Sequence, residues 1–380
     1  MPLWLLGAID RWAGPLLLLL LAWPLRLLAR FLPAASGPQP RYIFIKMKGG
    51  GSLIIAMPSL LGLRRALPHA QFSLVCTPDV RPYAELTNIF DDYLVVDDTT
   101  PFRLAASAAR ALCGSFRADR CIDLEPNSIL AAVFTALTCA ARRYGFTQDK
   151  SRAAAYTDIL PFNKRAPIYT YYDRLCAMLG GMSADIAASR TALRGALPPP
   201  VPLPQGGSKI IGIAAFTSDF ARERMMPPRV WAALLARAFG DEDVTLYIFG
   251  STRNRPMAQD LAAALRQRMP RAVITDLCGQ YPLRQTAAQM ALCDEIWAVD
   301  SGLLHVARLS GVPTQSFWGP TRPEQRLRPM PDLRETAHYR PFACSPCLDA
   351  GKTPPCRSLN VCLTTMADSN PDLFPSWTQK

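Results

Sequence analysis

From Arg41 onward, short β-branched runs alternate with helical stretches, and the alternation stops once at a Pro/Gly-rich break and then restarts. RYIFIKMK, QFSLVCT, YLVVDD and RCIDLE read as strands; SLIIAMPSLLGLRRALP, VRPYAELTN, PFRLAASAARALCGSF and SILAAVFTALTCAARR read as helices between and after them. The break is GALPPPVPLPQGGS, residues 195–208, which has the composition of an interdomain linker. Beyond it KIIGIAAF, VTLYIFG, AVITDLCG, EIWAVDS and TQSFWG alternate with PPRVWAALLARAF, PMAQDLAAALRQRM, LRQTAAQMALC and GLLHVARLSG. Such alternation predicts parallel sheets with helices on both faces. The expected fold is α/β, two Rossmann-like doubly wound halves with a ligand in the cleft between them. The expected divisions are an N-terminal apolar segment 1–37, a first domain 41–194, the linker 195–208, a second domain 209–343 and a Cys-rich tail 344–380.

The N-terminal segment contains WAGPLLLLLLAWPL, uncharged between Arg11 and Arg26. It falls short of the roughly 20 residues a spanning helix needs. Trp4, Trp12 and Trp23 suit a membrane–water interface, and Arg26 and Arg30 suit anionic headgroups. The reading is a retained interfacial or re-entrant anchor. A cleaved signal, with AAS at 34–36, competes, but the first ten residues carry Asp10 and no Lys or Arg. A plain buried helix is the third option. The formal net charge of +12 favours anionic partners. Without a basic-aromatic array, nucleic acid is excluded in favour of a membrane surface or a phosphorylated substrate. Cys76, Cys113, Cys121, Cys139, Cys176, Cys278 and Cys293 lie in apolar segments and read as small buried hydrophobes in a reducing compartment.

Four stretches carry chemistry. In VDSGLLHVARLSGVPTQSFWGPT a strand ends at Asp300, Ser301 is a good N-cap, and Gly302 lets a ligand approach the first helical turn. Free N–H groups there favour phosphate, and His305 lies one turn on, on the same face. In FTSDFARERMMPPRVW, Thr217 and Ser218 offer hydroxyls, while Arg222 and Arg224 suit a diphosphate. KMKGGGSLIIAMP places Gly49, Gly50, Gly51 and Ser52 between a strand and a helix, where a ligand can come close to backbone. Cys344, Cys347, Cys356 and Cys362 stand at C-x2-C-x8-C-x5-C. Four thiolates suit a structural zinc but leave no open position for catalysis; a disulfide pair or reduced thiols remain open. Neither half opens with G-x-G-x-x-G, so a dinucleotide oxidoreductase is disfavoured.

Taken in order, the glycine turn and its helix, RCIDLEPNSILAAVFTALTCAARRYGF, the FTSDFARERMMPPRVW loop, the DSG helix with its GPT turn and the C-x2-C tail resemble glycosyltransferase family 9. This is the heptosyltransferase-like family of lipopolysaccharide assembly. The resemblance covers roughly residues 41–363. It implies a GT-B fold and inverting transfer from a nucleotide-diphosphate sugar, without a catalytic metal, to a lipid-linked or lipopolysaccharide-type acceptor. The first half would take the acceptor and the second the donor. Ser301, Gly302 and His305 match positions that meet donor phosphates. Arg224 matches a basic loop residue, and Met226 stands where the family has tryptophan. The family's glycine turn commonly ends in the Asp regarded as the base; here that position is Ser52, whose hydroxyl has no useful basicity near neutral pH. Glu125 of DLE is then the expected base or acceptor ligand, and a catalytically silent donor-binding subunit is the alternative. Nucleotide sugars are cytosolic, so the resemblance implies the cytoplasmic face of the bacterial inner membrane, with peripheral or monotopic attachment.

Overall fold

The computed structural model describes residues 9–31, 37–148, 150–207, 209–240, 242–347, 355–356 and 359–367. Trp4, the AAS stretch and residues 368–380 of the tail lie outside the described residues, as do the side chains of Trp23, Arg26 and Arg30. The chain divides into two compact units, 1–189 and 190–380.

In the first unit, β1 (Arg41–Lys46), β2 (Gln71–Cys76), β3 (Asp92–Val95), β4 (Arg120–Asp123), β5 (Arg142–Thr147) and β6 (Asp158–Pro161) form a six-stranded sheet in the order β3-β2-β1-β4-β5-β6. Every pairing is parallel. Ile43, Phe44 and Ile45 are all buried, as a strand covered on both faces requires. The helices include α1 (Gly14–Phe31), α2 (Gly50–Ala66), α3 (Arg81–Thr87), α4 (Pro101–Ser115), α5 (Ile129–Leu137) and α6 (Ile168–Met178). The sequence predicts one helix through Arg143. Instead α5 stops at Leu137, Cys139 takes φ 48, and Arg142 opens β5. Arg143 is buried there, donating to Ala140 O at 2.7 Å and Ala155 O at 2.9 Å. Sheet pairing and these bonds override the local helical pattern.

Within the N-terminal apolar segment, α1 lies on the first unit. Leu18 of α1 is buried with Ala132, Val133, Ala136 and Tyr156. Asp10 Oδ1 accepts from Leu130 N at 2.7 Å and from Ser128 Oγ at 3.1 Å, reinforcing the N-terminus of α5. No helix among the described residues is long and apolar enough to cross a membrane. A helix packed along α5 is not a re-entrant hairpin, so that form of the expected anchor is corrected.

In the second unit, β7 (Lys209–Ala214), β8 (Val244–Ile248), β9 (Val273–Asp276), β10 (Glu295–Val299), β11 (Thr314–Trp318) and β12 (Glu335–Tyr339) make another all-parallel sheet, ordered β12-β11-β10-β7-β8-β9. Between its strands run α7 (Pro228–Phe239), α8 (Arg255–Arg268), α9 (Leu283–Met290) and α10 (Gly302–Ser310). Trp231 of α7 and Met226 ahead of it sit in the core. The Pro-rich stretch expected as the interdomain linker is tied to this unit. Its carbonyls are held by Arg284 at Ala196, Gln289 at Val201 and Tyr247 at Pro204, and Gly206 N donates to Thr245 Oγ1. Prolines leave those carbonyls without ladder partners, and side chains supply the missing donors.

Each sheet reverses strand order between its first and fourth strands, β1/β4 and β7/β10. Ligands of open parallel sheets bind beyond the carboxyl ends at such switch points.

Candidate active site

At the switch point of the first unit, the chain leaves β1 through Lys46, Met47 and Lys48 into the glycine turn. Gly49 takes φ +71, the left-handed conformation, at the N-cap of α2. A Cβ on Gly50 would stand 2.1 Å from the Tyr83 ring, so this position has no room for a side chain. Ser52 lies in the first turn of α2 and is half-buried. Its Oγ donates to Gly49 O at 2.7 Å, closing the turn on itself.

Glu125 lies just beyond β4 and is 7 % exposed. Its Oε1 accepts from Met47 N at 2.9 Å and Lys48 N at 2.7 Å. Its Oε2 stands 3.0 Å from Lys46 Nζ. Burial alone would lower the Lys46 ammonium pKa, but Glu125, Tyr172 and Asp123 outweigh it and raise it. Both carboxylate oxygens of Glu125 are thus engaged, one by two backbone N–H groups and the other by an ammonium. On this geometry Glu125, expected as base or acceptor ligand, ties the end of β1 to the end of β4.

Behind it lies a network that sequence reasoning missed. Asp123, fully buried, accepts from Arg152 Nη2 at 2.8 Å, Tyr156 Oη at 2.6 Å and Glu125 N at 2.8 Å. Burial pushes its carboxyl up to about 6 against the pull of Arg152 and Tyr156. The DLE triplet was visible in the sequence, but Arg152 and Tyr156 reach it from a segment without a motif.

At the second switch point, β10 ends at Asp300 and α10 begins. Ser301 is the N-cap, with its side chain accepting from Leu304 N. Asp300 Oδ2 stands 3.3 Å from Arg224 Nη1 and accepts from Thr321 Oγ1 at 2.8 Å. Asp300 Oδ1 lies 3.7 Å from His305 Nε2. Burial would raise the Asp300 carboxyl, but Arg224, His305 and Arg326 together hold it well below the usual range. The His305 pKa is lowered, first by burial and despite Asp300. Arg224 Nε and His305 Nδ1 are buried and have no hydrogen-bond partner among the described residues. Leaving such atoms unpaired costs about 1–3 kcal/mol each. An anion at the α10 N-terminus is the partner Arg224 Nε suits; with Nε2 turned to the Asp300 carboxylate, His305 Nδ1 is an acceptor and suits a hydroxyl.

The structure thus brings Asp300, Ser301, Gly302, His305 and Arg224 together. Thr217, Ser218 and Arg222, expected beside the same diphosphate, lie on the loop that carries Arg224. Thr217 Oγ1 donates to Ser218 O at 3.2 Å, and Ser218 and Arg222 are exposed. Thr321 of the GPT turn and Arg326 complete the group. The turn was noticed in the sequence for its Gly-Pro; nothing marked Arg326 among neighbouring arginines.

Cys344, Cys347, Cys356 and Cys362 line one cavity of about 290 Å³, together with Gly319, Pro320 and Glu223. Burial and the neighbouring thiols raise Cys347, and push Cys362 up to about 11. Among the described residues, no group of three or more His, Cys, Asp or Glu side chains is placed to hold a metal ion. The donor set has the chemistry for zinc but not the convergence. Of the seven scattered cysteines, six are buried as expected and Cys113 is exposed.

Two parallel-sheet α/β units, each with its polar cluster at a switch point, define the GT-B class of nucleotide-sugar transferase folds. The family model of glycosyltransferase family 9 (heptosyltransferase) matches residues 106–356, and the chain belongs to this family. Lipopolysaccharide heptosyltransferase 2 of Escherichia coli (strain K12) is 32% identical over 97 residues, covering 26% of this chain and 28% of that protein. The alignment therefore spans little more than a quarter of that curated relative. Two solved E. coli structures share the fold. ADP-heptose lps heptosyltransferase II has a TM-score of 0.58 at 20% identity, covering 85% of this chain and 98% of that one. Heptosyltransferase WaaC with ADP has a TM-score of 0.60 at 16% identity, covering 86% and 97%.

Proposed function

We propose that the protein transfers a sugar, heptose or a relative of it, from a nucleotide-diphosphate donor to a lipopolysaccharide-type or lipid-linked acceptor at a membrane surface. The carrying observation is the buried Asp300–Arg224–His305 cluster at the start of α10, with two polar atoms left without partners. Family membership and the ADP bound by a structural neighbour support a nucleoside diphosphate as the anion.

In this reading the donor diphosphate lies against the α10 N-terminus, where the helix dipole and Arg224 meet its charge. The acceptor hydroxyl attacks the anomeric carbon from the opposite face and gives up its proton to solvent as the new C–O bond forms. The anomeric C–O bond breaks, the nucleoside diphosphate leaves with the electron pair, and configuration inverts. The developing charge is met by Arg224 and Arg326, held in place before the reaction. Glu125 is a positioning residue that fixes the turn bordering the acceptor. The work is assigned to the cytoplasmic face of the inner membrane.

A second reading, a silent donor-binding subunit attached to the membrane, is favoured by the engagement of both Ser52 Oγ and the Glu125 carboxylate. Release of nucleoside diphosphate from a panel of nucleotide heptoses and hexoses, with and without a truncated lipopolysaccharide, decides between them. Acceptor-dependent release supports transfer. Donor binding without release under every pairing supports the silent subunit.

A further inference from the structure

Resting on the membrane-surface reading above, we propose that the outward face of α1 is a bilayer-binding face. It lays the helix flat in the headgroup region of an anionic membrane and holds the carboxyl edge of the first sheet beside the lipid.

The inner side of α1 is taken. Leu18, Leu21 and Leu25 pack on the first unit, and Asp10 is bonded to the start of α5. On its outer side Phe31 is 77 % exposed, Leu19 75 %, Leu20 60 %, Leu16 58 % and Leu27 52 %, and Trp12, in the turn ahead of α1, is 78 %. At ~100° per residue the five on α1 fall within an arc of about 120°. That is wider than the a/d seam a second helix would cover. A fluid apolar medium accommodates such a face without matching knobs to holes. Eighteen residues give a helix about 27 Å long. Pinned along one side, it cannot turn across a hydrocarbon core of ~30 Å. It can sink its free side about 5–10 Å into the headgroup boundary.

Charge points to the same occupant. The segment carries Arg11, Arg26 and Arg30 against one acid, Asp10. That acid is spent internally on Ser128 and Leu130. What remains is cationic, as anionic headgroups require.

The attachment also sets orientation within the first unit. Asp10 meets the chain just past Glu125, at the carboxyl end of β4. Trp12 therefore sits at the same edge of the sheet as Glu125 and, through it, Met47 and Lys48 ahead of the glycine turn. A bilayer under α1 runs beside that edge, so an acceptor reaching the turn is one already carried in the lipid.

The test is flotation of the full chain with phosphatidylcholine vesicles, with and without phosphatidylglycerol. It is run beside a Leu16→Glu/Leu20→Glu/Leu27→Glu variant whose changes leave the packed side untouched. The wild type should float with the anionic vesicles, and brominated lipid should quench Trp12, read against Trp12→Phe. The variant should partition at least about 100-fold more weakly with its circular dichroism and its calorimetric donor binding unchanged. Equal flotation of both chains, or none by the wild type, overturns the proposal. So does a wild-type dimer in sedimentation that the variant breaks, which would give the face to a second copy. Loss of donor binding or turnover with flotation intact would instead count against the transferase reading alone.

Discussion

Arg224 and Asp300 come from loops after different strands of the second sheet, yet Arg224 Nη1 stands 3.3 Å from Asp300 Oδ2. The same oxygen holds Thr321, and the other oxygen faces His305. One buried carboxylate thereby fixes a cation suited to a diphosphate and the imidazole ring beside it. It also leaves the Arg224 Nε and the His305 Nδ1 uncommitted. A site built this way is organised before the donor arrives, which is what makes charge stabilisation effective.

The cluster makes the second unit sensitive to acid. The His305 pKa is lowered in the folded chain, so below about 6.5 the unfolded chain takes up a proton that the native one refuses. Stability is therefore lost as pH falls from about 6.5 toward the folded value. The depressed Asp300 carboxyl adds stability above about 3.9 that is lost at still lower pH. Urea midpoints of the second unit's transition should fall from pH 7.5 to 5.5, and His305→Gln should flatten the slope. Asp123, raised to about 6, acts in the opposite sense. Its contribution is greatest below about 3.9 and is lost as pH rises through about 6. Asp123→Asn should remove that opposing slope from the first unit.

Glu125 separates a brace from a base. Glu125→Ala strands the buried Lys46 ammonium and should cost about 3–5 kcal/mol in chemical denaturation. Glu125→Gln keeps an oxygen for Met47 N and Lys48 N. As a brace it should lose less than about tenfold in turnover, whereas removing a general base costs about 10²–10⁴. A Lys46→Met/Glu125→Gln double variant should recover part of the stability, read as a coupling term.

The turn has its own steric test. Gly50→Ala drives a methyl into the Tyr83 ring and should destabilise by about 1–3 kcal/mol. In a Tyr83→Ala background the same change should cost far less, since the obstacle is one side chain.

The tail makes a kinetic prediction. Cys344 is exposed, while the Cys362 thiol is pushed up to about 11. With a thiol reagent at pH 8, Cys344 should react first and Cys362 slowest, because the thiolate is the nucleophile. A bound zinc would instead shield all four until a chelator is added, and metal analysis of the same sample would find it.

The two sheets were legible because buried parallel strands write continuous apolar runs such as YIFI and EIWAV, and the DSG and glycine turns mark strand ends. Arg224, Ser301 and His305 stood at readable spacings from those turns. Less legible were contacts set by tertiary packing. Arg152 and Tyr156 on Asp123, or Arg326 near Asp300, follow from which loops the sheet order brings together. The end of α5 at Leu137 was hidden because Arg142 and Arg143 read equally well as a helical tail. The Pro-rich stretch had a linker's composition, and only Arg284, Gln289 and Tyr247 reveal that it is tied down. Ser52 raised the right question, but the engagement of Glu125 by Lys46 and two backbone N–H groups required coordinates.

Calorimetric titration of ADP-heptose and its GDP, UDP and CMP counterparts into the chain, beside Arg224→Ala and His305→Ala, tests the central claim most directly. One nucleotide series should bind, with each variant weakened by about 1.5–3 kcal/mol, the worth of a hydrogen bond to a charged group. Binding of every donor unchanged in both variants, or of none by the wild type, would contradict a donor site at the start of α10.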